Sequence, residues 1–176
     1  MSFFTDDYQR FAGTRYDHII KRVKNWIFHH NIRFLYWLRK AEAGSFLGKI
    51  CVFRYSRKYG LEISPGASIG KGLYLGHPYN ITVGSGCVLG DNINLHKGCT
   101  IGSTSGENWG SPVIGNCVWI GINATVVGKI TVGDDVLIAP GAYVNFDVPS
   151  HSVVIGNPGE IHHRENATEA YIGNRI

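Results

Sequence analysis

The sequence lacks the marks of several protein classes. Its 176 residues contain no apolar run long enough to cross a bilayer, and charged residues make up only 17% against a usual ~25%. The opening stretch, MSFFTDDYQR, lacks the basic region followed by an apolar region that marks a secretory signal. We therefore expect a cytoplasmic protein with a single compact core.

The cysteines also show no motif for redox chemistry or metal binding. The four cysteines form no CxxC pair and no tight cluster with histidine, so neither a redox motif nor a zinc site is indicated. We expect reduced, structural thiols and no metal. The four are Cys51, Cys87, Cys99 and Cys117.

Charge divides the chain into two parts. Residues 1–60 carry a net charge of +8, whereas residues 61–176 carry −4. In the first part, apolar residues recur at steps of three and four over residues 16–27, and further helices are predicted at residues 32–43 and 47–59. This basic, aromatic segment either covers one end of the domain or contacts an anionic membrane surface. Nucleic acid is not expected as a partner.

Glycine is abundant, at 23 of 176 residues, or about 13% against a usual ~7%. From residue 61 onward the sequence pattern repeats every six residues. A period of six fits no α-helix but is typical of a three-sided parallel β-solenoid, in which an inward aliphatic residue fills each face. Eighteen residues complete a coil, so we predict four to five coils over residues 61–160, stacked at about 4.8 Å. The repeated positions are Ile63, Ile69, Leu75, Ile81, Val83, Leu89, Leu95, Ile101, Ile114, Ile120, Val126, Val132, Ile138 and Val144.

Two stretches depart from the repeat. Residues 102–111, GSTSGENWGS, predict a loop that protrudes from the coils. Residues 161–176 are predicted to form a C-terminal tail.

The repeat IGxxxx resembles the bacterial hexapeptide-transferase family. The stretches EISPGASIGKGLYLGHPYNITVG, NLHKGCTIG and SPVIGNCVWIGINATVVGKITVGDDVLIAPGAYV are similar to its serine acetyltransferase branch over residues 60–160. The resemblance implies a left-handed parallel β-helix, a mainly β fold, preceded here by an α-helical segment. It also implies a homotrimer with active sites between subunits, and acetyl-CoA as co-substrate.

The same resemblance assigns the chemistry. His77 is implied as the general base that takes the acceptor's hydroxyl proton, and Glu62 as the acid that orients its imidazole. Backbone N–H groups are implied for the oxyanion, with direct transfer and no acyl-enzyme. Counting one coil and a two-residue slip from His77 places His96 beside it, as a candidate acceptor-binding residue.

Further residues are implied in acetyl-CoA binding, where the protruding loop helps to enclose the donor. Lys129 is a candidate for a CoA phosphate. The candidates along the pantetheine arm are Gly102, Ser103, Gly121, Ile122 and Pro140. The remaining histidines are interpreted as surface or tail residues: His18, His29, His30, His151, His162 and His163.

The sequence also departs from the serine enzymes. Where these hold the amino acid with an aspartate and an Arg-His pair, this chain has Gly76, Gly110 and Ser111. A zwitterion without paired partners binds poorly in a partly desolvated cleft. The expected function is therefore acetylation of a saccharide hydroxyl in exopolysaccharide or capsule synthesis, with residues 1–60 at the inner face of the membrane. The alternatives are an L-serine O-acetyltransferase of cysteine synthesis and a non-catalytic trimeric platform.

Overall fold

A computed structural model describes residues 3–14, 19–106 and 108–176. Its four helices precede all of its strands. Tyr16 and His18, at the start of the predicted amphipathic stretch, lie outside the described residues. The helices are α1 (Phe3–Ala12), α2 (Ile19–Phe28), α3 (His30–Glu42) and α4 (Phe46–Tyr59).

The strands form three mainly parallel sheets, one for each side of a prism. Sheet A contains β1 (Leu61–Ile63), β4 (Ile81–Val83), β7 (Thr100–Gly102), β10 (Thr125–Val127) and β13 (Tyr143–Val144). Sheet B contains β2 (Ser68–Ile69), β5 (Val88–Leu89), β8 (Val113–Ile114) and β11 (Thr131–Val132). Sheet C contains β3 (Tyr74–Gly76), β6 (Asn94–His96), β9 (Trp119–Ile120), β12 (Val136–Ile138), β14 (Ser152–Ile155) and β15 (Glu160–His163).

The strand register shows five stacked coils. Ile63 pairs with Val83, Val83 with Ile101, Ile101 with Val126 and Val126 with Val144. The predicted inward residues fill the prism, since Ile63, Val83 and Ile101 are each at most 1% exposed. Burying such an aliphatic side chain contributes about 1.5–3 kcal/mol. The predicted fold class, a mainly β parallel solenoid with an N-terminal helical segment, is confirmed.

Two corners of the prism are built on stacked residues with left-handed backbone. One such residue per coil lies at the corner between sheets C and A, which we call the C–A corner: Gly60, Asn80, Gly98, Asn123 and Gly141. Another lies at the corner between sheets B and C, the B–C corner: Gly72, Asn92, Cys117, Asp135 and His151. Nine of these ten residues are glycine, asparagine, aspartate or histidine, which adopt a positive φ most easily, and Cys117 is the exception.

The helical segment is fastened to the first coil by a buried ion pair. Asp7 of α1 and Arg39 of α3 form two hydrogen bonds, of 2.8 and 3.0 Å, and Asp7 also accepts one from the Leu73 N–H. Arg39 donates to the carbonyls of Ile69 and Gly70. The sequence reading did not predict α1, because its polar side chains face the solenoid and obscure the apolar spacing.

Helix α2 differs from the expectation of a packed amphipathic helix. Its apolar side chains are largely exposed, with Ile20 at 84% and Phe28 at 72%, and its only buried residue is Asn25. No helix among the described residues is long and apolar enough to span a membrane.

The C-terminal residues pack along the B–C corner and the outer face of sheet C. Strand β15 pairs with β14 in antiparallel fashion. Asp135 then accepts hydrogen bonds from the N–H groups of Ala167 and Thr168, at 2.9 and 3.0 Å. Further along, Asn92 bonds to both main-chain polar groups of Ile176. The segment therefore runs back along the stack, from the fourth coil to the second.

Candidate active site

His77 lies in an enlarged turn of the C–A corner. The register advances by 20 residues from β1 to β4, from β2 to β5 and from β3 to β6, but by 18 from β4 to β7. The two extra residues therefore lie between β3 and β4, in the stretch that contains His77. Its side chain is exposed at this edge of the prism.

The backbone at His77 is unusual even for this corner. It has φ 50°, yet it belongs to neither of the two stacks of left-handed residues. A non-glycine residue in this region costs of order 1–3 kcal/mol and persists only where the surroundings hold it. Such a residue is a recognised sign of a functional position, and here it is the predicted general base.

His30 of α3 contributes to holding this turn. Its Nε2 lies 3.1 Å from the carbonyl oxygen of Pro78, and since a carbonyl only accepts, the histidine N–H donates. The His30 ring stacks on Tyr59, with centroids 4.2 Å apart and planes 15° from parallel. It also contacts Tyr79 at 5.1 Å. The interpretation of His30 as a surface residue missed this contact, because spacing within a helix does not reveal what the helix packs against.

His96 lies one coil further on, with its ring over Gly76. A Cβ at Gly76 would come within 2.4 Å of the His96 ring, so a side chain there would require the ring to move. The ring packs on Trp119 at 4.6 Å, and its Nε2 is buried without a hydrogen-bond partner among the described residues. Burial, and to a smaller extent the charge of His77, lower the pKa of His96 to about 4. His96 is therefore neutral near pH 7 and lies close to His77.

Glu62 is not brought to His77 within one chain. It lies exposed on the outer face of sheet A, paired in register with Thr82. It lines a groove of about 570 Å³ together with α4, opposite Lys49 and Phe53. Among the described residues, no hydrogen bond or ion pair joins Glu62 to His77.

The residues predicted to bind acetyl-CoA fall at two corners. Ile122 and Pro140 follow His77 along the C–A corner, where the Ile122 carbonyl accepts from the Gly141 N–H at 2.8 Å. Gly121 fits there because a Cβ would lie 2.6 Å from the Pro140 nitrogen.

The other predicted donor residues lie at the corner between sheets A and B, which we call the A–B corner. The Gly102 carbonyl accepts there from the Gly128 N–H at 3.1 Å, next to Ser103 and Lys129. The two groups thus lie at opposite edges of sheet A and do not share one cleft within a chain.

The loop of residues 102–111 rises from the A–B corner. The Asn108 carbonyl accepts from the Lys129 N–H and the Thr104 hydroxyl, both at 3.0 Å, and fastens the loop to the next coil. Trp109 projects from it with 75% of its surface exposed. Glu107 lies outside the described residues.

The cysteines and His151 are interpreted as structural residues. All four cysteines are free, and burial raises the pKa of Cys99 to about 12, which leaves the thiol unreactive. His151 belongs to the B–C corner and bonds to Asp135 at 3.0 Å, so it is a structural residue of the C-terminal packing. Within the described ranges, no group of three His, Cys, Asp or Glu could hold a metal ion.

Comparison with known proteins fits this architecture. Residues 111–145 match the family model described as bacterial transferase hexapeptide (six repeats). A serine acetyltransferase of Staphylococcus aureus is 41% identical over 103 residues, which cover 58% of this chain and 48% of the relative. The chain carries hexapeptide transferase repeats and resembles serine acetyltransferases. Serine acetyltransferase 4 of Arabidopsis thaliana is 38% identical over 109 residues, covering 61% of this chain and 31% of the relative.

Solved structures extend the likeness to most of the chain. A Neisseria gonorrhoeae serine acetyltransferase has a TM-score of 0.77 and 27% identity, over 99% of this chain and 71% of that one. A soybean serine acetyltransferase complexed with serine has a TM-score of 0.73 and 26% identity, covering 92% and 66%. The chain spans about half the length, or less, of the curated relatives it matches.

These findings correct the predicted acceptor. The expectation of a saccharide O-acetyltransferase in exopolysaccharide or capsule synthesis is wrong, because the relatives and structural neighbours are serine acetyltransferases. The error came from treating Gly76, Gly110 and Ser111 as a test of the whole acceptor site. The comparisons likewise give no support to membrane contact by residues 1–60.

Proposed function

We propose that this protein is an acetyl-CoA-dependent O-acetyltransferase whose acceptor is the hydroxyl of L-serine. The observation that carries the proposal is the 41% identity to a serine acetyltransferase across 103 residues of the chain. The enlarged turn at His77 supports it, because an exposed imidazole in a strained loop is suited to general-base catalysis.

In the proposed reaction, the serine hydroxyl oxygen attacks the thioester carbonyl carbon while His77 takes the hydroxyl proton. The carbon–sulfur bond then breaks, CoA leaves as its thiolate, and the imidazolium returns the proton to the sulfur. Backbone N–H groups of the corners are proposed to meet the developing oxyanion. A general base in this role contributes roughly 10²–10⁴-fold to the rate.

Glu62 is proposed to orient His77 in the assembled enzyme. Substitution Glu62→Gln keeps the size of the side chain and removes its charge, so a loss in kcat with little change in the KM for serine is expected. A variant as active as the parent protein would remove Glu62 from the proposal. Thr82→Val, next to it in register, serves as the control.

We further propose a homotrimer in which each active site combines the C–A corner of one subunit with the A–B corner of its neighbour. Support comes from the separation of the candidate donor residues onto two edges of sheet A. Mixing inactive His77→Ala subunits with subunits lacking residues 103–110 should restore part of the activity after reassembly. Two mutant pools that stay inactive as mixed trimers would contradict a shared site.

The test of the reaction is release of CoA thiol by the purified protein, with acetyl-CoA and a panel of acceptors. L-serine should support turnover, D-serine and glycine should not, and His77→Ala should lose it. Failure of acetyl-CoA to bind would instead favour a non-catalytic platform. The free thiols fit the reducing cytoplasm, where we place the reaction.

A further inference from the structure

A polar pocket of about 320 Å³ lies outside sheet C, between the solenoid and the two ends of the described chain. Its floor is the outer face of β3, β6 and β9, α1 forms one wall and the C-terminal segment another. None of the candidate donor residues lines it. The lining includes Arg10, Phe11, Asn94, His96, Trp119 and Tyr171.

Arg10 is a buried cation that forms no ion pair with any of the described residues. It is 3% exposed, and its guanidinium donates to three neutral acceptors: the carbonyls of Gly72 and Gly173 and the side-chain oxygen of Asn94. Asp7, on the same helix, bonds to Arg39 instead. No carboxylate of the described residues forms an ion pair with Arg10. A buried ion of this kind loses several kcal/mol of solvation, so an anion that reaches it binds favourably.

The hydrogen-bond inventory of Arg10 leaves room for such an anion. A guanidinium has five N–H donors in a planar fork. Among the described residues three bonds are made, one from each nitrogen, so each of the two terminal nitrogens keeps one N–H without an acceptor there. A carboxylate presents two oxygens with the matching spacing, which is the geometry that arginine recognises best.

The lining of the pocket also offers a polar atom and aromatic surface. The Nε2 of His96 is buried and unpartnered among the described residues. Trp119 lies 5.4 Å from Tyr171, ring centroid to centroid, and 4.6 Å from His96. A ligand with a planar, apolar part fits against these rings, whereas a compact inorganic ion would leave them unfilled.

From these contacts we propose that the pocket binds a small organic carboxylate. Its oxygens pair with the free N–H groups of Arg10, its apolar part lies against Trp119 and Tyr171, and Nε2 of His96 completes the contacts. The pocket volume is at the low end of the range for ligand sites, so the ligand is about the size of a benzoate ion. Binding here needs no acetyl-CoA, and of the candidate acetyl-transfer residues only His96, the candidate acceptor-binding residue, lines the pocket.

The first test is a binding measurement by calorimetry on the full-length protein, with benzoate and benzamide as probes. The two have the same shape, but only benzoate is charged. Benzoate should bind at least about tenfold more tightly, a difference of about 1.4 kcal/mol. Equal affinity for the two, or no binding of benzoate at tens of millimolar, would overturn the proposal. Displacement of benzoate by equimolar inorganic phosphate would overturn the assignment to an organic carboxylate.

Two variants distinguish binding in the pocket from attraction by the general surface charge. Arg10→Gln should weaken benzoate binding at least about tenfold. Arg164→Gln, which removes an exposed charge from the same C-terminal segment, should leave the affinity unchanged. Equal losses in the two variants would show that benzoate senses only the net charge.

Arg10→Gln also removes a contact between α1 and the C-terminal segment, so weaker binding in this variant has two explanations: loss of the site or a disturbed fold. A second measurement therefore uses the unaltered protein. A bound carboxylate favours the charged imidazole, so NMR titration of His96 should show its pKa raised in saturating benzoate and unchanged in benzamide. An unchanged pKa of His96 in both would contradict the proposed pose.

Discussion

The B–C and C–A corners are built alike, but they differ in what lies over them. Each stacks one left-handed residue per coil on the same strand register. The B–C corner is covered by the C-terminal segment, where Asp135 takes three hydrogen bonds from Ala167 and Thr168. The C–A corner carries the two-residue enlargement with an exposed His77. A repeated backbone can thus hold the chain together at one edge and present reactive groups at another.

The largest expected effect is at His77. Substitution by alanine should lower kcat/KM for acetyl transfer by roughly 10²–10⁴-fold, because the general base is removed. The free energy of unfolding should change by no more than about 1 kcal/mol, since the side chain is exposed and only the left-handed backbone is affected. Steady-state thiol release and urea unfolding measure the two, with His162→Ala as the control. Loss of stability with retained activity would reverse the roles that we give to the two corners.

At the B–C corner, Asp135→Ala should act on stability and leave acetyl transfer nearly unchanged. The variant loses bonds to Ala167, Thr168 and His151, and charged hydrogen bonds of this kind are worth about 1.5–3 kcal/mol each, though not additively. We expect a loss of roughly 3 kcal/mol in the free energy of unfolding, and none for Glu160→Ala, an exposed acid of β15. A kcat reduced as strongly as in the His77 variant would contradict this division.

The same contribution should depend on pH. Burial alone would raise the pKa of Asp135, but bonds from Thr168, His151 and Ala167 lower it to about 2. Since the unfolded value is about 3.9, the stabilisation is complete above about pH 4 and is lost as the pH falls through about 2. The difference in unfolding free energy between the parent protein and Asp135→Ala should therefore shrink in acid. A constant difference from pH 7 to pH 2 would be the contrary result.

A smaller effect is expected at His30, a positioning residue. Loss of its hydrogen bond to Pro78 in His30→Ala should lower kcat by up to about tenfold, the equivalent of 0.5–1.5 kcal/mol, with little change in KM. His30→Gln retains an N–H donor and should restore part of the loss. Equal activity in both variants would show that the turn at His77 holds without this contact.

The smallest expected effect concerns His96. Because its pKa lies at about 4, it does not change charge near neutral pH. The pH dependence of kcat/KM above about pH 5 should therefore be the same in His96→Gln as in the parent protein. A shifted acid limb in the variant would mean that His96 exchanges protons in the reaction.

The coils could be predicted from the sequence because their signal is local and repeated. An aliphatic residue every six positions specifies an inward site, and Ile63, Val83 and Ile101 are buried as this requires. The slip predicted after Ile81 lies just before that residue in the structure, between β3 and β4, in the enlargement that contains His77. The placement of His96 beside His77 followed from the same count of residues per coil.

Contacts between distant segments could not be found in this way. The pairing of Asp7 with Arg39, the donation from His30 to Pro78 and the burial of Arg10 depend on how α1 and α3 lie on the solenoid. In a sequence, charged residues within a helix indicate a solvent-exposed face, so the basic segment of residues 1–60 is predicted to lie at the surface. The same reasoning led from Gly76, Gly110 and Ser111 to the wrong acceptor.

Acetyl transfer to serine can be followed with a labelled acetyl group from acetyl-CoA by NMR and mass spectrometry. The unaltered protein should place the label on the side-chain oxygen of L-serine, and His77→Ala should place none there above background. Label on serine at the same rate in both proteins, or no label on serine while acetyl-CoA is bound, would contradict the proposed reaction.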